Sequence, residues 1–311
     1  MITKNPTNTE NLTERIWYFS AARTAFKHLL NQLEFDEDDV ILLPSYIGIT
    51  DREGSGVMDP IWDSGINYDF FCIDGHLNAD LADLFTRIQA KSIKALVLIH
   101  YFGFPQKEVF KIREFCKNND VYLIEDCAHS LYGKLGESDL GSIGDFSFFS
   151  IHKSIPSESG GFLRSNLDQF ELTKKVGDEE RIDLSSLEVF TRVRKVDVVE
   201  KRITNYKYLA QLLENCPGVT LIFPDLPAGV VPLNLPLLIG NAQREPLYFY
   251  LMDRGLPTIA LYYRLIDDLY VEDFKLSRKI SENILNLPIH QDVKTSELIE
   301  LVGAIREFFR A

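Results

Sequence analysis

The feature that most constrains the fold is an alternation in the first half of the chain between short apolar runs and amphipathic stretches. The apolar runs are Val40-Leu43, Asn67-Cys72, Ala95-His100, Val121-Glu125 and Phe146-Ser150. Between them, Ala25-Leu33, Ala79-Ala90 and Lys107-Asn118 carry apolar residues at helical spacing. Strands alternating with helices predict an α/β fold, with a mostly parallel sheet flanked by helices. In such sheets ligands gather at the carboxyl ends of the strands, which directs attention to Pro44-Ser45-Tyr46, His100 to Gly103, Glu125 to His129, and Ser150 to Gly161.

After about residue 190 the pattern changes. A long amphipathic helix is predicted over Val196-Glu214, then short strands over Val219-Phe223 and Val231-Leu238. A helix over Ala242-Arg254 stops at Gly255, and a last one spans Ser296-Phe309. The expected division is a large domain at 1–190 and a smaller α+β domain at 191–311.

With 311 residues and 45% hydrophobic content, the chain can bury a large core and a smaller one. Its net charge of -13 forms no basic stripe, which argues against nucleic acid as a partner. The opening MITKNPTNTENLTERIW has no apolar leader, and no window is apolar enough for a membrane span, so a soluble, cytoplasmic protein is expected. Cys72, Cys116, Cys127 and Cys216 show no C-x-x-C pairing, and the six histidines show no ligand spacing, so no metal is expected.

One ordered set of residues carries chemistry. Glu125-Asp126 ends a strand, Ala128-His129 follows, Gly141 to Asp145 make a glycine-rich turn, and a second strand leads to Lys153. Singly, an Asp after a strand is most often a helix cap and a Lys a solvated surface charge. Together they suit pyridoxal phosphate (PLP), which needs a carboxylate to keep its pyridine nitrogen protonated. It also needs a lysine that can lose its proton although the free pKa is about 10.4. Asp126 and Lys153 suit those tasks, with Lys153 as the Schiff-base lysine. Gly160-Gly161 after it lets backbone pass close to a ligand or turn sharply.

The stretch IEDCAHSLYGKLGESDLGSIGDFSFFSIHKSIPSESGGFLRSN resembles the core motif of the DegT/DnrJ-type family of PLP-dependent nucleotide-sugar aminotransferases: EDAAQ or EDAAH, then GxxGD, then FSF or FSL with the lysine, then GG. ILLPSY, LVLIHYFGFPQ and ILNLPIHQ are similar to further family segments, so the resemblance runs through most of the chain. It implies a fold type I PLP transferase that acts on a keto-sugar, nucleotide-linked, with an amino acid donor such as glutamate, and works as a homodimer. Carried onto this sequence, it gives Asp126 the pyridine nitrogen, His129 a ring-contacting or O3′-side role, Ser150 a phosphate contact and Lys153 the covalent link. Ser20 to Thr24 stands where the family has its phosphate loop, so Ala22 and Arg23 would donate to the phosphate. Tyr46 stands where many members stack an aromatic on the ring. Tyr101, Tyr262, Tyr263, Arg264 and His290 are substrate candidates, Arg264 because a guanidinium suits a carboxylate or a diphosphate.

The pattern is incomplete. Asp178 to Arg194 shows nothing like the family's G-Y-N-Y-R-M segment, whose asparagine reaches the partner subunit's phosphate. A second reading therefore stands beside the aminotransferase: a shortened homologue that binds a sugar nucleotide or a partner with PLP weakly held or absent. A dehydratase branch of the family has histidine in place of the lysine. The register from Asp145 assigns the lysine position to Lys153, and His152 is expected to turn its side chain the other way on a strand.

Overall fold

The computed structural model describes residues 15–310; the opening segment, residues 1–14, where no leader is expected, lies outside the described residues. The first half supplies β1 (Arg15–Phe19), α1 (Ala22–Gln32), β2 (Val40–Pro44), α2 (Met58–Ser64), β3 (Asn67–Phe71), α3 (Leu81–Ala90), β4 (Ile93–Ile99), α4 (Val109–Asn118) and β5 (Tyr122–Asp126). A small hairpin, β6 (Lys134–Leu135) and β7 (Ser138–Asp139), precedes β8 (Phe146–Ser150) and β9 (Gly161–Ser165). Seven of these strands form one sheet in the order β1-β9-β8-β5-β4-β2-β3. The pairings from β3 through β8 are parallel, while β9 runs antiparallel to both β8 and β1. The continuous apolar run of β4 reflects this, since a central parallel strand is covered on both faces.

Parallel strands joined by crossover helices put all their carboxyl ends on one edge. The register sets Ile99 opposite Asp126 and Asp126 opposite Phe148, so Asp126, Ser150 and the turn bearing Lys153 share that edge.

The rest of the chain supplies α5 (Leu184–Arg192), α6 (Lys195–Leu212), β10 (Val219–Leu221), β11 (Leu235–Ile239), α7 (Arg244–Met252), α8 (Lys275–Asn283), β12 (Ile284–Leu287) and α9 (Thr295–Phe308). Its three strands form an antiparallel sheet in the order β10-β11-β12. The expected domain boundary at 190/191 falls inside α5; we propose the division at Val193–Arg194, between α5 and α6. The expected strand over Val231-Leu238 is shifted to β11, and Gly255 ends the α7 segment with a left-handed φ of 71°.

A single apolar core runs through both sheets, joining Leu96 and Phe148 to Leu237, Leu285 and Ile305. A second cluster, Cys127, Leu131, Leu140, Phe149, Ile151, Ile155 and Phe162, lies under the lysine turn. Ile151 and Ile155 flank Lys153 on either side, and burying each contributes about 1.5–3 kcal/mol to holding that turn down. Among the described residues no helix is long and apolar enough to cross a membrane.

Candidate active site

Glu125 and Asp126 are neighbours on β5, so their side chains face opposite ways. Glu125 is fully buried, where it accepts the backbone N–H groups of Gly141 at 3.0 Å, Ile143 at 2.8 Å and Gly144 at 2.6 Å, and contacts His100 Nε2 at 2.9 Å. Burial pushes its pKa up, yet the His100 bond and the amides hold the carboxyl below its ordinary range. This carboxylate folds the glycine turn. Glu125, His100 and Cys127 lie close enough to suggest a metal set, but Glu125 is spent on amides and His100 Nδ1 accepts the Gln106 N–H at 3.1 Å.

Asp126 faces a cavity of about 220 Å³. Its Oδ1 accepts the Ala128 N–H at 2.9 Å, and its other oxygen has no protein donor among the described residues. Burial raises its pKa, opposed by the Ala128 N–H and by the charge of Lys153. Lys153 is surrounded by protein atoms, yet its own surface is exposed and opens on the same cavity. Burial lowers its pKa; Asp126 works against that, and Arg23 adds to it.

His129 also lines the cavity, its ring roughly parallel to those of Phe102 and Tyr262, at 5.7 and 6.5 Å between centroids. Burial and then Lys153 lower its pKa well below the ordinary value, so the ring is neutral at pH 7. Nδ1 accepts the Phe102 N–H at 3.3 Å, which assigns the ring proton to Nε2.

At the other end of the cavity α1 begins without a cap. Ala21 offers no side-chain hydrogen bond and the first turn has no acidic residue, so among the described residues the first N–H groups have no partner and suit an anion. Gly161 makes this geometry possible, because a Cβ there would lie 2.4 Å from Ala21 C and Ala22 N. Ala22, Arg23 and Ser150 all line the cavity. The Arg23 guanidinium donates to Glu53 O at 2.7 Å and Asp59 Oδ2 at 3.3 Å, so its charge is engaged at the rim.

Tyr46 forms a buried wall of the cavity, with its hydroxyl donating to Leu261 O at 3.2 Å and accepting the Tyr262 N–H at 2.8 Å. Tyr101 does not line the cavity. Its hydroxyl donates to Tyr46 O at 2.7 Å, so it stands behind the Tyr46 wall. Arg264 lies on a neighbouring cavity of about 680 Å³ that shares Thr50, Leu261 and Tyr262 with the first, and it pairs with Asp51 at 2.8 Å. His290 lines a separate cavity beside Gly255 and Leu301 and is not brought to the others. His152 corrects a further expectation: β8 stops at Ser150, so strand alternation no longer applies, and His152 lines the same cavity as Lys153. Thr50 and Glu53, which the sequence reading did not single out, come from the loop after Gly48. A Cβ at Gly48 would lie 2.1 Å from the Tyr262 ring, so that glycine was the available signal.

A sequence profile of the DegT/DnrJ/EryC1/StrS aminotransferase family matches residues 55–176 and 168–306. GDP-perosamine synthase of Vibrio cholerae is 28% identical over 149 residues, 47% of this chain and 38% of that protein. The dTDP-4-dehydro-2,3,6-trideoxy-D-glucose 4-aminotransferase of Saccharopolyspora spinosa is 24% identical over 324 residues, 92% of this chain and 82% of its own. Among solved structures, the aminotransferase TlmJ from Streptoalloteichus hindustanus aligns with a TM-score of 0.80 at 23% identity, covering 95% of this chain and 86% of that one. Helicobacter pylori PseC, an aminotransferase involved in the biosynthesis of pseudoaminic acid, aligns at 0.79 and 20% identity, with coverages of 95% and 86%. These likenesses show the fold, that of the fold type I aminotransferases.

Proposed function

Because the chain belongs to the DegT/DnrJ/EryC1/StrS aminotransferase family, we propose that it is a PLP-dependent aminotransferase moving an amino group from an amino acid, glutamate first, to the keto group of a nucleotide-linked sugar. The observation that carries this reading is that Asp126 and Lys153 line one cavity, the first with an undonated carboxylate oxygen and the second with a lowered pKa.

The donor set fits PLP. A buried carboxylate oxygen suits a protonated ring nitrogen, the free amides of α1 suit a phosphate, and the His129 Nε2–H suits a phenolic oxygen. When bound, PLP supplies a sink for the electron pair left on the donor carbon after proton removal. Asp126 would hold the proton on the ring nitrogen, its charge supported by the Ala128 N–H. Lys153 Nζ would take the proton from the donor Cα, a step of the kind that contributes about 10²–10⁴-fold. Its lowered pKa enlarges the unprotonated fraction near neutral pH. Tyr46 and Tyr262 would wall the reacting atoms from water. Arg264, in the adjoining cavity, would meet the substrate's carboxylate or diphosphate. In this reading a second copy of the chain completes the dimer and the protein works in the cytoplasm.

The test is turnover with ¹⁵N-glutamate, added PLP and a panel of nucleotide keto-sugars. The expected result is 2-oxoglutarate formed in step with a ¹⁵N-labelled amino-sugar. Tight binding of a sugar nucleotide with no amine transfer, with or without PLP, would replace the enzyme by the binding protein.

A further inference from the structure

Arg202, in the middle of α6, is 3% exposed and does not line the cavity. Its Nη1 donates to Leu233 O at 2.8 Å, on the segment leading into β11. Its Nη2 reaches the other way, to Lys153 O at 3.5 Å and Ser154 O at 3.4 Å. Gln291 Nε2 donates to the same Ser154 oxygen at 3.2 Å. The turn leaves those oxygens for outside donors, because Pro156 has no N–H and the Ser157 N–H goes to Ile155 O at 2.8 Å.

This is a costly place for a cation. Burial lowers the Arg202 pKa to about 10, with only the more distant charge of Asp292 opposing it. Among the described residues no carboxylate lies within ion-pair distance of the guanidinium, and its Nε has no hydrogen-bond partner. A buried charge answered only by carbonyl dipoles is poorly compensated, so removing it relieves a desolvation cost that offsets part of the hydrogen bonding lost. Its contribution therefore lies in what it holds.

We propose that Arg202 is a positioning residue: it ties the backbone of Lys153 and Ser154 to α6 and to the approach to β11, with Gln291 as the second donor, and so fixes where the lysine amine enters the cavity. The link couples the small sheet to the lysine turn, so a displacement of α6 would be passed to Lys153. The tether itself is independent of the cofactor, whereas its consequence for catalysis rests on Lys153 being the PLP lysine.

The experiment is amide hydrogen exchange on cofactor-free protein, followed at peptides covering residues 151–160, together with thermal melting, for wild type, Arg202→Met, Arg202→Lys and Gln291→Leu. Arg202→Met should melt within about 5 °C of wild type, since relief of the uncompensated charge offsets part of the cost of the stranded carbonyls, yet exchange in that turn about tenfold faster, as expected for loss of one charge-assisted hydrogen bond. Arg202→Lys should recover part of the protection, and Gln291→Leu should loosen the same turn by a smaller factor. Unchanged exchange in all three variants would overturn the proposal. So would exchange raised throughout the protein alongside a lower melting temperature, which marks a general packing role. A wild-type protein that fails to take up PLP would sink the aminotransferase reading and leave this exchange pattern unaffected.

Discussion

Replacing Gly161 by alanine puts the proposed phosphate end of the cavity to a quantitative test. The added Cβ would lie 2.4 Å from Ala21 C and Ala22 N, both main-chain atoms at the start of α1. Non-bonded carbons settle at about 3.5–4.0 Å, so the helix start must withdraw by roughly 1 Å or the strand must give way. Strand β9 has little freedom to move, since Gly161 is paired with Phe19 on one side and Ser150 on the other. No side chain can swing aside to relieve the clash. Overpacking of this kind costs about 1–3 kcal/mol. The same movement pulls the free amides away from an anion, and each 1.4 kcal/mol or so of lost contact weakens PLP binding about tenfold. Urea unfolding of the cofactor-free protein reads the first effect, and absorbance titration with PLP reads the second. Gly161→Ala matching wild type within about 0.5 kcal/mol in stability and within twofold in PLP affinity would refute the close-approach argument.

Glu125→Gln turns an NH₂ either toward the Gly141 amide or toward those of Ile143 and Gly144, and should cost about 3–5 kcal/mol at pH 7 by chemical denaturation. Because the folded pKa of Glu125 is depressed, its stabilisation is fully present above its ordinary 4.5 and is lost as pH falls through the folded value; the gap between variant and wild type should narrow in acid. Lys153→Ala should reduce the deprotonation of the donor, read as α-hydrogen exchange of glutamate by NMR, by about 10²-fold or more without changing the fold by circular dichroism. Tyr46→Phe strands the Tyr262 N–H and should lower stability by about 1–3 kcal/mol in the same unfolding assay.

The parallel strands and the Asp126 to Lys153 set were legible because both depend on local order: apolar runs end in polar residues, and those ends share one edge whatever else the chain does. β1 and β9 carried little signal, being short, antiparallel and, for β9, opened by glycine. α8, whose nine residues are mostly polar, and the seven-residue α2 were too short or too polar to stand out.

Within the site, what was not legible traces to tertiary contacts. Tyr101 looked available after its strand, but a turn through Phe102 at a φ of 57° and the carbonyl of Tyr46 claim its hydroxyl. Arg264 finds Asp51 far away in the sequence, and nothing local announces that pairing. Arg202 lies in a helix whose charges read as a solvated face; its burial depends on where α6 docks, which only the assembled fold decides. His152 was misplaced because the alternation of β8 was extended past its last residue.

The central claim is that Lys153 is the residue that carries PLP. Protein incubated with PLP, reduced with borohydride, digested and mapped by mass spectrometry should show one pyridoxyl-phosphate addition, on the peptide containing Lys153, and none on Lys153→Ala. Reduction that labels another lysine, or labels none at saturating PLP, would contradict it.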